Sequence, residues 1–256
     1  MLHSHPPEKD EILTVVKGET TVLFGWFMFD WTILIVLPAA LFAFWAQSNV
    51  SSTFARYSKK ATRAGRTAAE AARILLNANG LYDVGIEEIP GELNDHYNPR
   101  VRKLFLSHAV YSSRSAAAIG VACHEAGHAL QHAMGYSPLQ LRMNLIPLCN
   151  FGSRLAMPLF FVGLLFAGDF GYLFMLAGIA CFSLATLFQL VTLPVEFNAS
   201  RRALEGMQDQ HLLYDEELGM AQDVLRAAAM TYVAALATSL LSLLRLLVIA
   251  GGRRRD

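Results

Sequence analysis

Four stretches of this chain, residues 21–45, 143–167, 171–193 and 227–250, are too long and too apolar to fit the core of a small soluble domain. Each approaches or exceeds the roughly 20 residues that cross a bilayer as a helix. With 54% hydrophobic and only 16% charged residues, the 256-residue chain has too little polar sequence to wrap them in a soluble shell. The expected fold class is therefore mainly α, a multi-span membrane protein with a small strand-containing catalytic unit. Asp30 alone interrupts the first stretch and is read as marking the membrane edge, with Trp26, Trp31 and Trp45 suited to the interfaces. The second and third stretches, joined by Gly168-Asp169-Phe170-Gly171, form a hairpin that returns the chain to the face it left.

The segments between the apolar stretches have their own patterns. Residues 1–20 carry Glu8, Asp10, Glu11 and Glu19 against Lys9 and Lys17, so they lack the basic flank of a cleaved leader. Residues 51–79 place Arg56, Lys59, Lys60, Arg63, Arg66 and Arg73 among alanines and end on Asn79-Gly80, which predicts one amphipathic surface helix with a C-terminal cap. Alternation of Val84, Ile86 and Ile89, a turn at Pro90-Gly91 and a second apolar run at 100–106 predict two short strands. Residues 113–134 are alanine-rich and proline-free, a strong helix. Pro194 is expected to stop the second hairpin arm, with a polar helix beginning near Glu196. The resulting organisation is 1–50 (first span), 51–142 (amphipathic helix, strands and motif helix), 143–193 (hairpin), 194–226 (polar helix) and 227–256 (last apolar helix and basic tail).

The chemistry is carried by His124-Glu125-Ala126-Gly127-His128, an HExxH pattern on the predicted helix. Two histidines four apart share one helical face, so both imidazoles can reach one cation. Glu125 projects beside them, where it can act as general base on a zinc-activated water. Chance would produce the pattern in a chain of this length on the order of once in a hundred sequences, and burying such a trio on an apolar helix without a metal is costly. One Zn2+ per chain is the expected cofactor. Cys123, Cys149 and Cys181 stand singly in apolar runs and read as small buried hydrophobes. Net charge is zero, so nucleic acid has no support as a partner; the partners implied are the bilayer and a peptide or protein substrate.

Hydrolytic zinc sites usually take three protein ligands. The histidine-ligand class is excluded, because the positions where it needs Gly and His hold Gln131 and Met134. His132 lies too far along a straight helix to be favoured. Glu196 is the better candidate, since the hairpin brings its segment back to the motif helix. Glu205, Asp209, Glu216 and Glu217 compete for the role but fit a solvated face. Tyr97, Tyr111, His211 and Tyr214 are candidate donors to an oxyanion, each read first as structural. The strand at 100–106 is either a docking edge for extended substrate or an ordinary edge strand. Asp95 and His96 are read as caps or braces, and Arg201 and Arg202 as solvating their helix or meeting lipid phosphates.

On Asp95-His96-Tyr97-Asn98-Pro99, on Tyr111-Ser112-Ser113-Arg114-Ser115 leading into Ala122-Cys123-His124-Glu125-Ala126-Gly127-His128, and on Leu193-Pro194-Val195-Glu196-Phe197-Asn198-Ala199-Ser200-Arg201-Arg202-Ala203, the chain resembles the YugP-like neutral zinc metallopeptidases of bacterial membranes. The resemblance covers most of the sequence. It implies a membrane peptidase with His124, His128 and Glu196 around zinc and Glu125 as catalyst. The layout is also similar to heat-shock-type membrane peptidases with a glutamate ligand. Many of those place an aspartate four residues after the glutamate, where this chain has Ser200, so support for the histidines is expected from elsewhere, such as Asn198.

Two other readings follow from the same residues: a membrane scaffold or assembly factor with a relict metal site, and an intramembrane-cleaving protease. The second lacks its expected aspartate in an LDG-type motif. The basic run from Arg56 to Arg66 behind the first span predicts a cytoplasmic site in a bacterial cell membrane. The Arg253 to Arg255 tail conflicts with four full crossings.

Overall fold

The computed structural model describes residues 30–91 and 94–253. The acidic residues of the N-terminal segment, Trp26, Arg254 and Arg255 lie outside the described residues. Seven helices and three strands follow in the order α1 (Ile33–Tyr57), α2 (Ala68–Ala78), β1 (Gly85–Ile89), β2 (His96–Asn98), β3 (Lys103–Ser107), α3 (His108–Tyr111), α4 (Ala116–Ala133), α5 (Ser137–Leu165), α6 (Gly168–Asp209) and α7 (Asp215–Arg253). The protein is mainly α, and α1, α5, α6 and α7 are each long and apolar enough to cross a membrane. Their outward faces carry a belt of exposed leucines, among them Leu34, Leu41, Leu173, Leu187, Leu190 and Leu244, as a lipid-facing surface requires.

Two cores share the spans. One joins α2, β3 and α4 to the distal half of α6 and the start of α7 through Leu75, Leu76, Leu104, Leu106, Ile119 and Met207, all buried. The other lies at the far end of the bundle, where Phe160, Leu164, Met175, Ile179, Leu246 and Ile249 lock α5, α6 and α7 together. At that end Asp30 directly precedes α1, and its carboxylate accepts from the Thr32 hydroxyl and from Arg245 Nη2 of α7 at 3.1 Å. Its charge is thus paired where the helix begins.

The polar region departs from its pattern at several points. Residues 51–79 are not one helix. Past Tyr57 the chain is pinned across α4 and α7 by Thr62 N–H to the Arg114 carbonyl (2.9 Å) and Arg63 N–H to Glu217 (2.7 Å). A capping box between Thr67 and Glu70 then nucleates α2 as a separate helix, and α2 ends at Asn79 and Gly80, whose φ is +74°. Its alanine face is buried in the core instead of lying on a membrane surface.

The sheet has the order β1-β3-β2, with β1 parallel and β2 antiparallel to β3. The run at 100–106 is therefore the central strand, hydrogen-bonded on both sides, and offers no edge to a substrate. The short β2, within Asp95 to Pro99, is one edge strand and β1 the other.

Pro194 does not end a helix, and α6 runs unbroken for 42 residues. A proline costs one backbone bond and a clash one turn back. Val195, Glu196, Ala199 and Ala203, buried on the next turns, hold the helix on course. Likewise α7 is continuous from Asp215, so helices cross both the 193/194 and 226/227 divisions.

The hairpin α5–α6 is packed through small residues. A Cβ on Gly178 would stand 2.6 Å from the Ala156 carbonyl oxygen, and one on Gly163 would stand 2.6 Å from that of Gly171. Close backbone approach of this kind is how helices associate where water supplies no drive. Gly178→Leu should therefore destabilise the protein in detergent by about 1–3 kcal/mol or more, the cost of overpacking. Leu187→Ala on the exposed face should change it by less than about 0.5 kcal/mol. Equal melting shifts for the two would refute the packing account.

Candidate metal centre

The site lies where α4 crosses α6. Ser115 caps α4, its hydroxyl accepting from Ala118 N–H at 3.2 Å, and the alanine-rich helix carries His124, Glu125 and His128 inward. Gly127 sets the crossing distance. A Cβ there would stand 2.5 Å from the Ala199 carbonyl oxygen, so the second variable position of the motif has no room for a side chain.

At this separation the Glu196 carboxylate enters the histidine pair. Its Oε2 lies 3.2 Å from His124 Nε2 and 3.5 Å from His128 Nε2, and one ligand atom from each residue falls within 4.8 Å of the others. These two separations approximate the edge, about 3.4 Å, of a tetrahedron of ligands set about 2.1 Å from zinc.

The far ring nitrogens fix the imidazole orientations. The Gln131 amide nitrogen donates to the Val195 carbonyl (2.8 Å) and to Asn198 Oδ1 (3.0 Å), so its oxygen faces His128 Nδ1 at 2.9 Å. Nδ1 of His128 therefore carries the proton, and Nε2 keeps its lone pair for a metal. His124 Nδ1 lies 3.1 Å from the Ser200 hydroxyl. The residue expected to leave His124 without support thus supplies it directly, and Asn198 acts through Gln131. Arg202 extends this line by donating to Asn198 at 2.8 Å, while Arg201 is exposed and faces Glu205.

Glu125 is buried, and its Oε2 accepts from Tyr97 N–H of β2 at 2.8 Å. Burial pushes its carboxyl above the ordinary carboxylate range, against the pull of the His128 and His124 imidazoles. For His128, burial alone would disfavour the cation, but the Glu196 hydrogen bond and the charges of Glu125 and Glu196 outweigh it and raise its pKa. A cluster that draws positive charge to its centre, with three neutral-or-anionic donor atoms converging, fits a divalent cation.

The remaining candidates fall elsewhere. His132 faces the Tyr97 hydroxyl at 2.9 Å, Glu205 is exposed, and Glu217 caps the start of α7. Asp95 accepts from the Ser107 backbone (2.7 Å) and hydroxyl, bracing β2 on β3, while His96 stacks on Phe105. Burial pushes the Cys123 thiol up to about 12, so it is no thiolate ligand.

Two residues that went unremarked in the sequence reach the site. Arg142 of α5 donates to Glu196 Oε1 at 2.6 Å, leaving Oε2 turned toward the histidines. Tyr232 of α7 lines the cavity that holds His124, Glu125 and Glu196. A charged residue beside a hairpin arm and a phenol in an alanine-rich span are the signals that single them out.

Residues 32–251, which include every residue of this cluster, match the family described as "Putative neutral zinc metallopeptidase". The chain belongs to this family. A relative from Bacillus subtilis (strain 168), described as "Putative membrane protease YugP", is 47% identical over 217 residues, covering 85% of this chain and 95% of the relative. No solved structure matches the chain. At the family's level the chain is a membrane protein of zinc metallopeptidase type, and zinc is the metal the donor set accommodates.

Because Gln131 fixes the His128 ring, Gln131→Ala should weaken zinc binding about 10–100-fold, as loss of a ligand's hydrogen-bond partner does elsewhere. Gln131→Glu keeps the acceptor toward His128 but sets an oxygen against the Val195 carbonyl and Asn198 Oδ1 in place of the amide donor, so it should restore affinity only in part. Competition with a chromogenic chelator measures both, and unchanged affinity in the alanine variant would refute this role.

Proposed function

We propose that this chain is a membrane-embedded zinc endopeptidase in which His124, His128 and Glu196 hold one zinc ion and Glu125 is the general base. The observation that carries this reading is the buried Glu125 carboxyl, positioned by a strand N–H beside a three-donor cluster. A purely structural metal site has no use for such a base. When bound, zinc polarises a carbonyl and lowers the pKa of water to about 7.

The chain's own groups do the rest. Glu125 spends one oxygen on Tyr97 N–H, so the other is free to take a proton from water and return it to the leaving amine. Tyr232 lines the same cavity, where its hydroxyl is the candidate donor to the oxyanion that develops on the scissile carbonyl. β2 runs beside the base and positions it through the Tyr97 N–H. Arg56, Lys59, Lys60, Arg63 and Arg66, close behind α1, support a site on the cytoplasmic side of a bacterial membrane.

The test reads zinc content and casein cleavage together. Glu125→Gln should keep zinc and lose cleavage, and Glu196→Ala should lose zinc. A Glu125→Gln protein that cleaves normally overturns the proposal. Tyr232→Phe should lower kcat by about 10²-fold with KM little changed, as removal of an oxyanion donor does. A change confined to KM would assign Tyr232 to substrate binding instead.

A further inference from the structure

One wall of the catalytic cavity comes from neither α4 nor α6. The cavity, about 240 Å³, is bounded on its other side by the first and last spans. Gln47, Val50 and Phe54 line it from α1 at helical spacing, and Val224, Leu225 and Ala228 line it from α7. Val121, one turn before His124, completes an apolar recess that opens directly onto Glu125 and Glu196. The recess is smaller than the 300–1,000 Å³ typical of sites for drug-sized molecules. It suits one side chain with its adjoining peptide.

The recess has a fixed width. Just beyond Phe54, the Tyr57 hydroxyl donates to Asp223 of α7 at 2.9 Å. At the opposite ends of the same two helices, Arg245 donates to Thr32 (2.9 Å) and Asp30. The α1–α7 pair is thus tied on both sides of the recess.

Resting on the peptidase reading above, we infer that the recess between α1 and α7 is the specificity subsite, and that it selects an apolar side chain of leucine or phenylalanine size next to the scissile bond. Two features decide the class of occupant. The α1 and α7 walls are mostly apolar, with Gln47 and Thr231 as uncharged polar exceptions, so an apolar side chain gains most from burial there. Of the ionisable groups lining it, Asp95, Glu125 and Glu196 oppose an acidic side chain; each already holds a partner, in Ser107, the Tyr97 N–H and Arg142 respectively, so a basic side chain must compete with these, and the aminopropyl compound below decides between an apolar and a basic occupant. Ala228 and Phe54 line it from the two facing helices.

The test uses the full-length chain in detergent, loaded with zinc, and dipeptide hydroxamates whose side chain next to the chelating group is methyl, isobutyl, benzyl, carboxymethyl or aminopropyl. Affinity is read by displacement of a fluorescent hydroxamate, with zinc content checked for each protein. In the wild type, isobutyl and benzyl should bind about tenfold or more tightly than methyl, the scale of discrimination an apolar pocket achieves. The charged compounds should be weakest.

Ala228→Leu should remove the advantage of isobutyl and benzyl while leaving methyl unaffected. Phe54→Ala should shift the preference toward benzyl. Ala228→Val, with a smaller intrusion, should give an intermediate loss and stands in if the leucine variant loses zinc. The same side-chain order in all zinc-loaded proteins, or a charged compound binding as well as isobutyl, overturns the proposal. Peptide cleavage measured in parallel separates the two readings: the affinity order without cleavage by wild type defeats the peptidase, and cleavage without the order defeats the subsite.

Discussion

The closeness of α4 to α6 at Gly127 is the constraint from which the site follows. Glu196 is 68 residues beyond His128, and a hairpin and most of a long helix intervene. Its carboxylate reaches both imidazoles because the Ala199 carbonyl sits where a Cβ of residue 127 would be. A methyl group there must push the helices apart. Distances of 3.2 and 3.5 Å leave no slack for that. The variable positions of an HExxH pattern are free in the pattern but not in this fold.

Around that crossing, three of the four groups are held by an element other than their own, and His128 is held by Gln131 of its own helix. Glu125 on α4 is held by β2, His124 on α4 by α6, and Glu196 on α6 by Arg142 of α5. Gln131 bridges α4 to two points on α6. Such cross-bracing fixes ring orientation and carboxylate direction against thermal motion, which is what a preorganised site needs. It also explains how a cluster with two carboxylates tolerates burial, since every charge there has a partner of opposite character within hydrogen-bond reach.

Much of this was legible in the sequence. The apolar runs announced four long helices because bilayer thickness leaves a helix little choice of length. The histidine spacing and the hairpin together pointed to Glu196 as the residue that joins the pair. What the pattern concealed were long-range effects. Pro194 reads as a stop, yet packing of the following turn against α4 carries the helix through. The break at residues 58–67 depends on hydrogen bonds to Arg114 and Glu217, which no local periodicity reveals. The strand β2 is three residues long, too short to show alternation; the alternation at residues 84–89 became β1 at the other edge, and the apolar run at 100–106 became the central β3. Arg142 and Tyr232 act across helices, so the sequence marks them only as polar groups in apolar surroundings and does not say what they reach.

The unbroken α6 has a mechanical meaning. It begins at the far turn of the hairpin and carries Glu196 about 40 Å along its axis, at 1.5 Å per residue. A rod that spans a membrane and bears a ligand transmits its tilt to that ligand: a rotation of about 3° about the far end moves a group at that distance by about 2 Å. Helices answer changes in bilayer thickness by tilting. Tilt of α6 relative to α4 and the meeting of three ligand atoms are therefore a single mechanical variable.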